Sequence, residues 1–187
     1  MRQLLAGAFA ALDAVLKPGA AIYVAHPAGA LSLTFAETFV GQNWRLHQTL
    51  VWVKDSLVPG HSDYQYRHEP ILFGYKPGSA GRRGRGARGW YGDNSQTSVF
   101  EIPRPKVNAD HPTSKPVALV EAMVRNSSRT GEIVWDGFLG SGSTLIACEQ
   151  LGRRCFGMDL DPRYVDVAVR RWEQVTGKQA ERREARA

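Results

Sequence analysis

Cysteine is scarce in this chain. Only Cys148 and Cys155 occur in 187 residues, too few for a disulfide-stapled scaffold, and both lie in apolar surroundings as core fillers of a reducing compartment. Long apolar runs are missing as well. No stretch approaches the roughly 20 residues that a membrane span requires, and the N-terminus shows no signal-peptide cleavage pattern. These absences point to a cytoplasmic protein with no membrane partner. Acidic charge is the minority sign, 18 Asp and Glu against 24 Lys and Arg. The net charge of +6 and a sequence pI near 9.6 suit a polyanionic partner. With 43% hydrophobic residues, the chain is long enough for one domain with a sizeable core.

The stretch from Glu132 to Thr144 organises the rest. Ile133 to Trp135 reads as a short buried strand that ends in Asp136. A glycine-rich turn follows, then an apolar helix from about Thr144 to Leu151. Glycine is the residue for backbone that passes close to a bound group, and the helix that opens next points free N–H groups at an anionic one. Gly140-x-Gly142 alone fits a bare turn equally well. A second strand, Arg154 to Met158, then ends in Asp159 about one crossover later, where a Rossmann-like site keeps the carboxylate for a ribose diol. The same Asp159-Leu160-Asp161-Pro162 run also starts a helix, with Asp161 as N-cap and Pro162 in the first helical position. Both readings hold together, and a nucleoside-containing cofactor is favoured. A dinucleotide oxidoreductase is disfavoured, because Leu145 stands where the third glycine of G-x-G-x-x-G belongs.

Asp136-Gly-Phe138-x-Gly140-Ser141-Gly142-Ser143-Thr144 resembles the cofactor loop of DNA amino-methyltransferases, the adenine-N6 and cytosine-N4 enzymes of the permuted beta order. That family usually shows Asp-Pro-Phe-x-Gly-Ser-Gly-Thr-Thr, so Gly137 and Ser143 are mild departures. Upstream, His111-Pro112-Thr113-Ser114-Lys115-Pro116 is similar to the family's His-Pro-Thr-x-Lys-Pro. Downstream, Gly152 to Asp159 resembles its second cofactor strand, with Asp159 where Glu is more usual. The resemblance implies S-adenosylmethionine as cofactor. It places Asp136, Phe138, Gly140, Ser141, Gly142, Ser143 and Thr144 in the cradle, Asp159 on the ribose, and Thr113 and Lys115 at the methionine end. On charge alone Lys115 is unusual, since a cation is disfavoured at a helix start; an anionic ligand or a nearby acid would explain it.

Along the chain, residues 2 to 16 set Leu5, Phe9, Leu12 and Leu16 at helical spacing, and Lys17-Pro18-Gly19 stops that helix. Strands are expected at Ala20 to Ala25, Leu46 to Lys54 and Pro70 to Tyr75, with a helix at Ala30 to Val40. His26 after the first strand reads as a solvated loop histidine, with contact to a ligand as its alternative. Val58 to Glu69 reads as a loop; its His61, Asp63, His68 and Glu69 match no regular metal-ligand spacing. Trp52-Val53-Lys54 and His68-Glu69 match, in order, a family segment that shapes the base pocket and DNA face. Residues 78 to 91 set Arg82, Arg83, Arg85 and Arg88 among glycines, followed by Trp90 and Tyr91. This is either a solvated flexible loop or an arm whose arginines track DNA phosphates while its aromatics stack on a base. A brief strand is expected at Ser98 to Ile102. Val117, Val120, Met123 and Val124 mark a helix over 116 to 126. Val165, Ala168, Val169 and Trp172 mark the inward face of a last helix, Tyr164 to Val175, before a charged tail at 178 to 187.

One family element is absent from the sequence: no Pro-Pro pair occurs. The family's Asp/Asn/Ser-Pro-Pro-aromatic tetrapeptide accepts hydrogen bonds from the exocyclic amine and stacks on the flipped base. In the permuted order it precedes the first helix, on a strand between the Ile133 and Ala20 strands, so no catalytic residue is assigned. The expectation is therefore an α/β, Rossmann-like S-adenosylmethionine-dependent methyltransferase fold, a mostly parallel sheet flanked by helices and missing its N-terminal strand or strands. It forms one domain over 1–177: a target-base half at 1–76, a basic recognition loop at 77–110 and a cofactor half at 111–177. The expected activity is methyl transfer to an amino group of adenine or cytosine in DNA, by an N-terminally truncated enzyme. A catalytically silent module that binds cofactor or DNA is the alternative, as is one part of a split enzyme completed by a second polypeptide. A homodimer is a further expected assembly, and no metal is expected.

Overall fold

The computed structural model describes residues 1–60, 63–78, 89–105 and 114–183. The chain divides into two compact units, 1–104 with 122–129, and 105–121 with 130–187. No described helix is long and apolar enough to cross a membrane.

The first unit opens with α1 (Arg2–Val15), which stops where Leu16 turns extended ahead of Pro18. It continues through β1 (Ala21–Ala25), α2 (Leu31–Gly41), β2 (Arg45–Val58), β3 (Tyr66–Tyr75) and β4 (Val99–Glu101). The helical spacing of α1 delivers Leu5 and Phe9 to a core shared with Ile22, Phe39, Trp44 and Leu72; Leu12 and Leu16 pack partly buried beside it. Trp44 is the centre of that core, its ring 5.1 Å from Phe9 and 5.2 Å edge-on to Phe39. Its indole N–H is satisfied by Asp13, 2.7 Å away, which also takes Lys76 at 3.0 Å. These two donors, Trp44 first, hold the Asp13 carboxyl below its ordinary range. Phe39 has no exposed surface, so truncating it to alanine should cost about 3–5 kcal/mol.

The sheet order is β1-β3-β2-β4, with β3 antiparallel to both neighbours and β2 parallel to β4. Three of its four strands therefore run the same way. β2 and β3 are longer than the sequence pattern suggests. The stretch read as a loop from Val58 to Glu69 is strand from Tyr66 onward, because His68 and Glu69 pair with Val53 and Trp52 across a hairpin. Alternation was hidden there by polar residues whose partners lie on the facing strand: Lys54 is 6% exposed and meets Glu69 diagonally at 2.7 Å.

In the second unit β5 (Ile133–Asp136), α4 (Ser143–Leu151), β6 (Arg154–Gly157) and α5 (Pro162–Thr176) follow one another, preceded by the start of α3 (Val117–Ser127), which runs from this unit into the first. β5 and β6 are parallel, Ile133 opposite Arg154 through Asp136 opposite Gly157. α5 begins as its sequence dictates, with the Asp161 side chain accepting from the Arg163 N–H and Pro162 in the first turn. Of the face expected to point inward, Ala168 is buried and Val169 and Trp172 are half-buried, and one residue departs from it. Val167 is buried while Val165 is 37% exposed, and Arg171 on the same helix donates to the Ser141 carbonyl. Leu119 in α3, 1% exposed, is a core residue the pattern did not single out. Among the described residues β1 pairs only with β3, and β5 only with β6. β1 and β5 are therefore edge strands, each within its own unit, among the described residues.

Candidate cofactor site

Parallel β5 and β6 end together, and the turn after β5 is knitted by side chains rather than left loose. One carboxylate ties both of its ends. Asp136 Oδ1 accepts from the Phe138 N–H at 3.0 Å, and Oδ2 accepts from the Thr144 hydroxyl at 2.6 Å. The Leu139 N–H reaches the Met158 carbonyl at 3.0 Å, which holds the turn against the end of β6. Gly142 lies at φ +79, and a Cβ there would stand 2.7 Å from the Ala168 Cβ. The demand for glycine comes from α5 packing on the turn, not from a ligand alone.

The three hydroxyls expected in the cradle are all engaged within the protein. Ser141, 4% exposed, shares a 2.8 Å hydrogen bond with Ser114. Ser143, 6% exposed, donates to the Lys115 carbonyl at 2.7 Å. Thr144 donates to Asp136, as above. Ser141, Ser143 and Thr144 therefore build the turn, and the first two bind the 114–115 segment to it. The Arg171 guanidinium donates to the Ser141 carbonyl, and burial lowers its pKa. No side chain caps α4, so the positive end of its dipole stays turned toward the loop.

What faces outward is different in kind. Asp159, half-buried, accepts from the Gly140 N–H at 2.8 Å and the Asp161 N–H at 3.0 Å. A carboxylate offers about four acceptor positions, so about two remain. Its chain neighbours Met158 and Leu160, and Phe138 of the turn, are apolar residues with little cover, at 57%, 100% and 66% exposure. A carboxylate with spare acceptor capacity set among exposed apolar groups suits a ribose diol and its attached heterocycle. Leu160 and Met158 were not named from the sequence. Leu160 was findable, as a lone apolar residue between two acids at a helix start. Arg171 carried no comparable mark beyond its spacing from Val167 and Ala168. Thr113 and the four arginines Arg82, Arg83, Arg85 and Arg88 lie outside the described residues.

In the first unit His26 is not a solvated loop residue. It is 4% exposed, stacked 5.3 Å from Phe35, with Nδ1 at 3.0 Å from the Pro27 carbonyl. That carbonyl needs a donor, so Nδ1 carries the proton. Nε2 is buried without a partner among the described residues. Desolvation pushes its pKa down, so the ring is neutral. Trp90 and Tyr91, read as candidates for stacking on a base, have partners within the unit. Trp90 lies 6.2 Å from Phe73, and Arg129 sits 4.8 Å over the Tyr91 ring.

A strand, a glycine turn, a helix and a second parallel strand followed by an acid define the cofactor half of a Rossmann-like, methyltransferase-type α/β fold. A family model described as DNA methylase, of the N6/N4 type, matches residues 2–170. The chain belongs to the N6/N4 DNA methylase family. It is 26% identical over 177 residues to the type II methyltransferase M2.DpnII of Streptococcus pneumoniae, a match covering 85% of this chain and 62% of that protein. It is 44% identical over 61 residues to the type II methyltransferase M.HpaI of Haemophilus parainfluenzae, covering 33% of this chain and 19% of that one. The chain thus spans less than two-thirds of the length of these relatives. Its fold resembles that of the M1.HpyAVI–SAM complex, with TM-score 0.75 and 22% identity over 92% of this chain and 84% of that one.

Proposed function

We propose that this chain is the bulk of an S-adenosylmethionine-dependent DNA methyltransferase acting on an exocyclic amino group of adenine or cytosine. The observation that carries the reading is the Asp159 carboxylate, with acceptor positions to spare among exposed Phe138, Met158 and Leu160. When bound, S-adenosylmethionine supplies an electrophilic methyl group. Asp159 would accept hydrogen bonds from its ribose hydroxyls, and the exposed Phe138, Met158 and Leu160 would supply apolar cover for its adenine. Asp136 and Thr144 fix the turn in shape, and Gly140 presents its N–H to Asp159 so that the carboxylate cannot swing away. Thr113 and Lys115 take the methionine end. Preorganisation of this kind keeps the reacting centre placed without ordering cost at the moment of binding.

Residues 1–177 serve as one methyltransferase domain in this reading, and Arg82, Arg83, Arg85 and Arg88 neutralise DNA phosphates. The amine-binding tetrapeptide lies on a segment outside these 187 residues, in the same polypeptide or in a second one that completes the enzyme. Two copies of the chain can also associate through Leu4 and Val15 of α1, 68% and 64% exposed. The protein works in the cytoplasm, where Cys148 and Cys155 stay thiols.

The test is transfer of a labelled methyl group from S-adenosylmethionine to DNA, followed by digestion to nucleosides. Label in N6-methyladenine or N4-methylcytosine supports the reading. Cofactor binding with no transfer, even after a peptide bearing Asn-Pro-Pro-Tyr is added, would replace it with a silent binding module. Replacing all four arginines should flatten the salt dependence of DNA binding; an unchanged slope removes their role.

A further inference from the structure

The sheet of the first unit has two unlike faces. Ile22 and Leu72 point into the α1–α2 core. With the period of two along a strand, Tyr23 and Phe73 point the other way, together with Gln48 opposite Phe73. There a cavity of about 90 Å³ opens between this face of the sheet, Phe100 of β4 included, and the residues Trp90, Met123 and Asn126. None of the residues lining it ionises at neutral pH, so it supplies no charge to a phosphate, a metal ion or a carboxylate.

Its chemistry is aromatic and carboxamide. Tyr23 and Phe73 are stacked at 4.7 Å, and Trp90 approaches Phe73 at 6.2 Å. Gln48 is exposed and makes no side-chain hydrogen bond among the described residues, so its amide offers a donor and an acceptor side by side. Asn126 donates to Gln96 at 2.8 Å, which leaves its oxygen as an acceptor. The rim is held in advance. Asp93 accepts from the Ser95 hydroxyl, the Gln96 amide and the Ser95 N–H, bonds that pull its carboxyl down to about 2. The Tyr91 N–H donates to the Asn126 carbonyl at 2.8 Å. A recess with apolar ring walls and a few placed polar groups, formed before any ligand arrives, is the general description of a small-molecule site.

We infer that this recess binds a single-ring nucleobase, edge-on to the Gln48 and Asn126 carboxamides and against the Phe73 and Trp90 rings. The donor–acceptor pair of a carboxamide complements the amide-like edge of cytosine or thymine as it does base edges elsewhere, and aromatic contact is worth about 1–3 kcal/mol per base. Size argues for one ring. A cavity of about 150 Å³ is what benzene occupies when fully enclosed, so the smaller recess takes part of one ring and leaves no room for a fused pair. That the ring arrives as part of DNA rests on the function proposed above; affinity for the free nucleoside does not.

The experiment titrates deoxycytidine, thymidine and deoxyadenosine into the ¹⁵N-labelled full chain and follows the Trp90 indole and the Gln48 and Asn126 carboxamide signals. The pyrimidine nucleosides should shift these signals saturably, with millimolar affinity or weaker. Gln48→Ala, at an exposed position that leaves the fold intact, should weaken binding about fivefold, the loss of one net hydrogen bond. Asp159→Ala should leave it unchanged. No shift at about 20 mM nucleoside, or unaltered affinity in Gln48→Ala, would overturn the inference. Equal affinity for deoxyadenosine would overturn the single-ring assignment. Binding lost in Asp159→Ala would place the nucleoside in the cofactor site instead, again overturning it.

Discussion

Replacing Gly142 with alanine perturbs the cofactor turn in two separable ways. Alanine at φ +79 sits in the left-handed region, at a cost of roughly 1–2 kcal/mol. Its Cβ would also stand 2.7 Å from the Ala168 Cβ and 3.0 Å from the Ala168 Cα. Neither contact is the loose end of a flexible side chain, so α5 or the turn must move, which adds about 1–3 kcal/mol. The total is about 2–5 kcal/mol. Gly131 supplies the control, since its φ is +81 but a Cβ there meets nothing within 4 Å. Gly131→Ala should therefore carry the conformational cost alone. Urea unfolding followed by circular dichroism measures both, and Gly142→Ala should be the less stable by about 1–3 kcal/mol. Adding Ala168→Gly to Gly142→Ala should recover part of that gap. If the two alanine variants differ by less than about 0.5 kcal/mol, the packing argument for this glycine is wrong.

Removing Glu69 alone strands the buried Lys54 ammonium and should cost about 3 kcal/mol, whereas Lys54→Met with Glu69→Leu should lose much less; chemical denaturation of the three variants decides. His26 is held neutral in the native state by burial, while the unfolded chain takes up its proton near pH 6.5. The unfolded state then binds more protons, so this contribution is complete above pH 6.5 and is lost as pH falls toward the lowered native pKa. His26→Phe should flatten the stability profile between pH 7 and 5, by at most about 1.4 kcal/mol per pH unit, and an unchanged slope would refute the neutral assignment. Leu160 is fully exposed and so contributes nothing to the fold. Leu160→Asp should leave the melting temperature within about 2 °C yet weaken S-adenosylmethionine binding about tenfold, and full affinity would remove Leu160 from the site.

Much of the architecture could be read from the residues because local chemistry and tertiary packing agreed. Pro18 stopped α1, Asp161 and Pro162 opened α5, and a strand followed by glycines marked the turn. The misreadings share one physical origin, polar residues whose partners are distant in sequence. His68 and Glu69 looked like loop because Lys54 lies on the facing strand, and His26 looked solvated because Phe35 covers it from α2. In the turn, Asp136, Ser141, Ser143 and Thr144 were legible as a group. That all four build the turn and leave Asp159 and Phe138 to face outward was not, because only hydrogen-bond geometry shows it. Val165 failed because a helical repeat fixes which residues share a face but not how that face is turned against its neighbours.

Calorimetric titration of the chain with S-adenosylmethionine, with NAD as comparison and Asp159→Ala as the variant, addresses the central claim most directly. Since Asp159 also accepts from Gly140 and Asp161, a melting curve of the variant shows whether the turn still holds. The expected result is saturable binding of S-adenosylmethionine at one site, no heat with NAD, and affinity reduced about tenfold or more in a folded Asp159→Ala variant. Absence of S-adenosylmethionine binding by the intact chain, or undiminished affinity in that variant, would contradict the account.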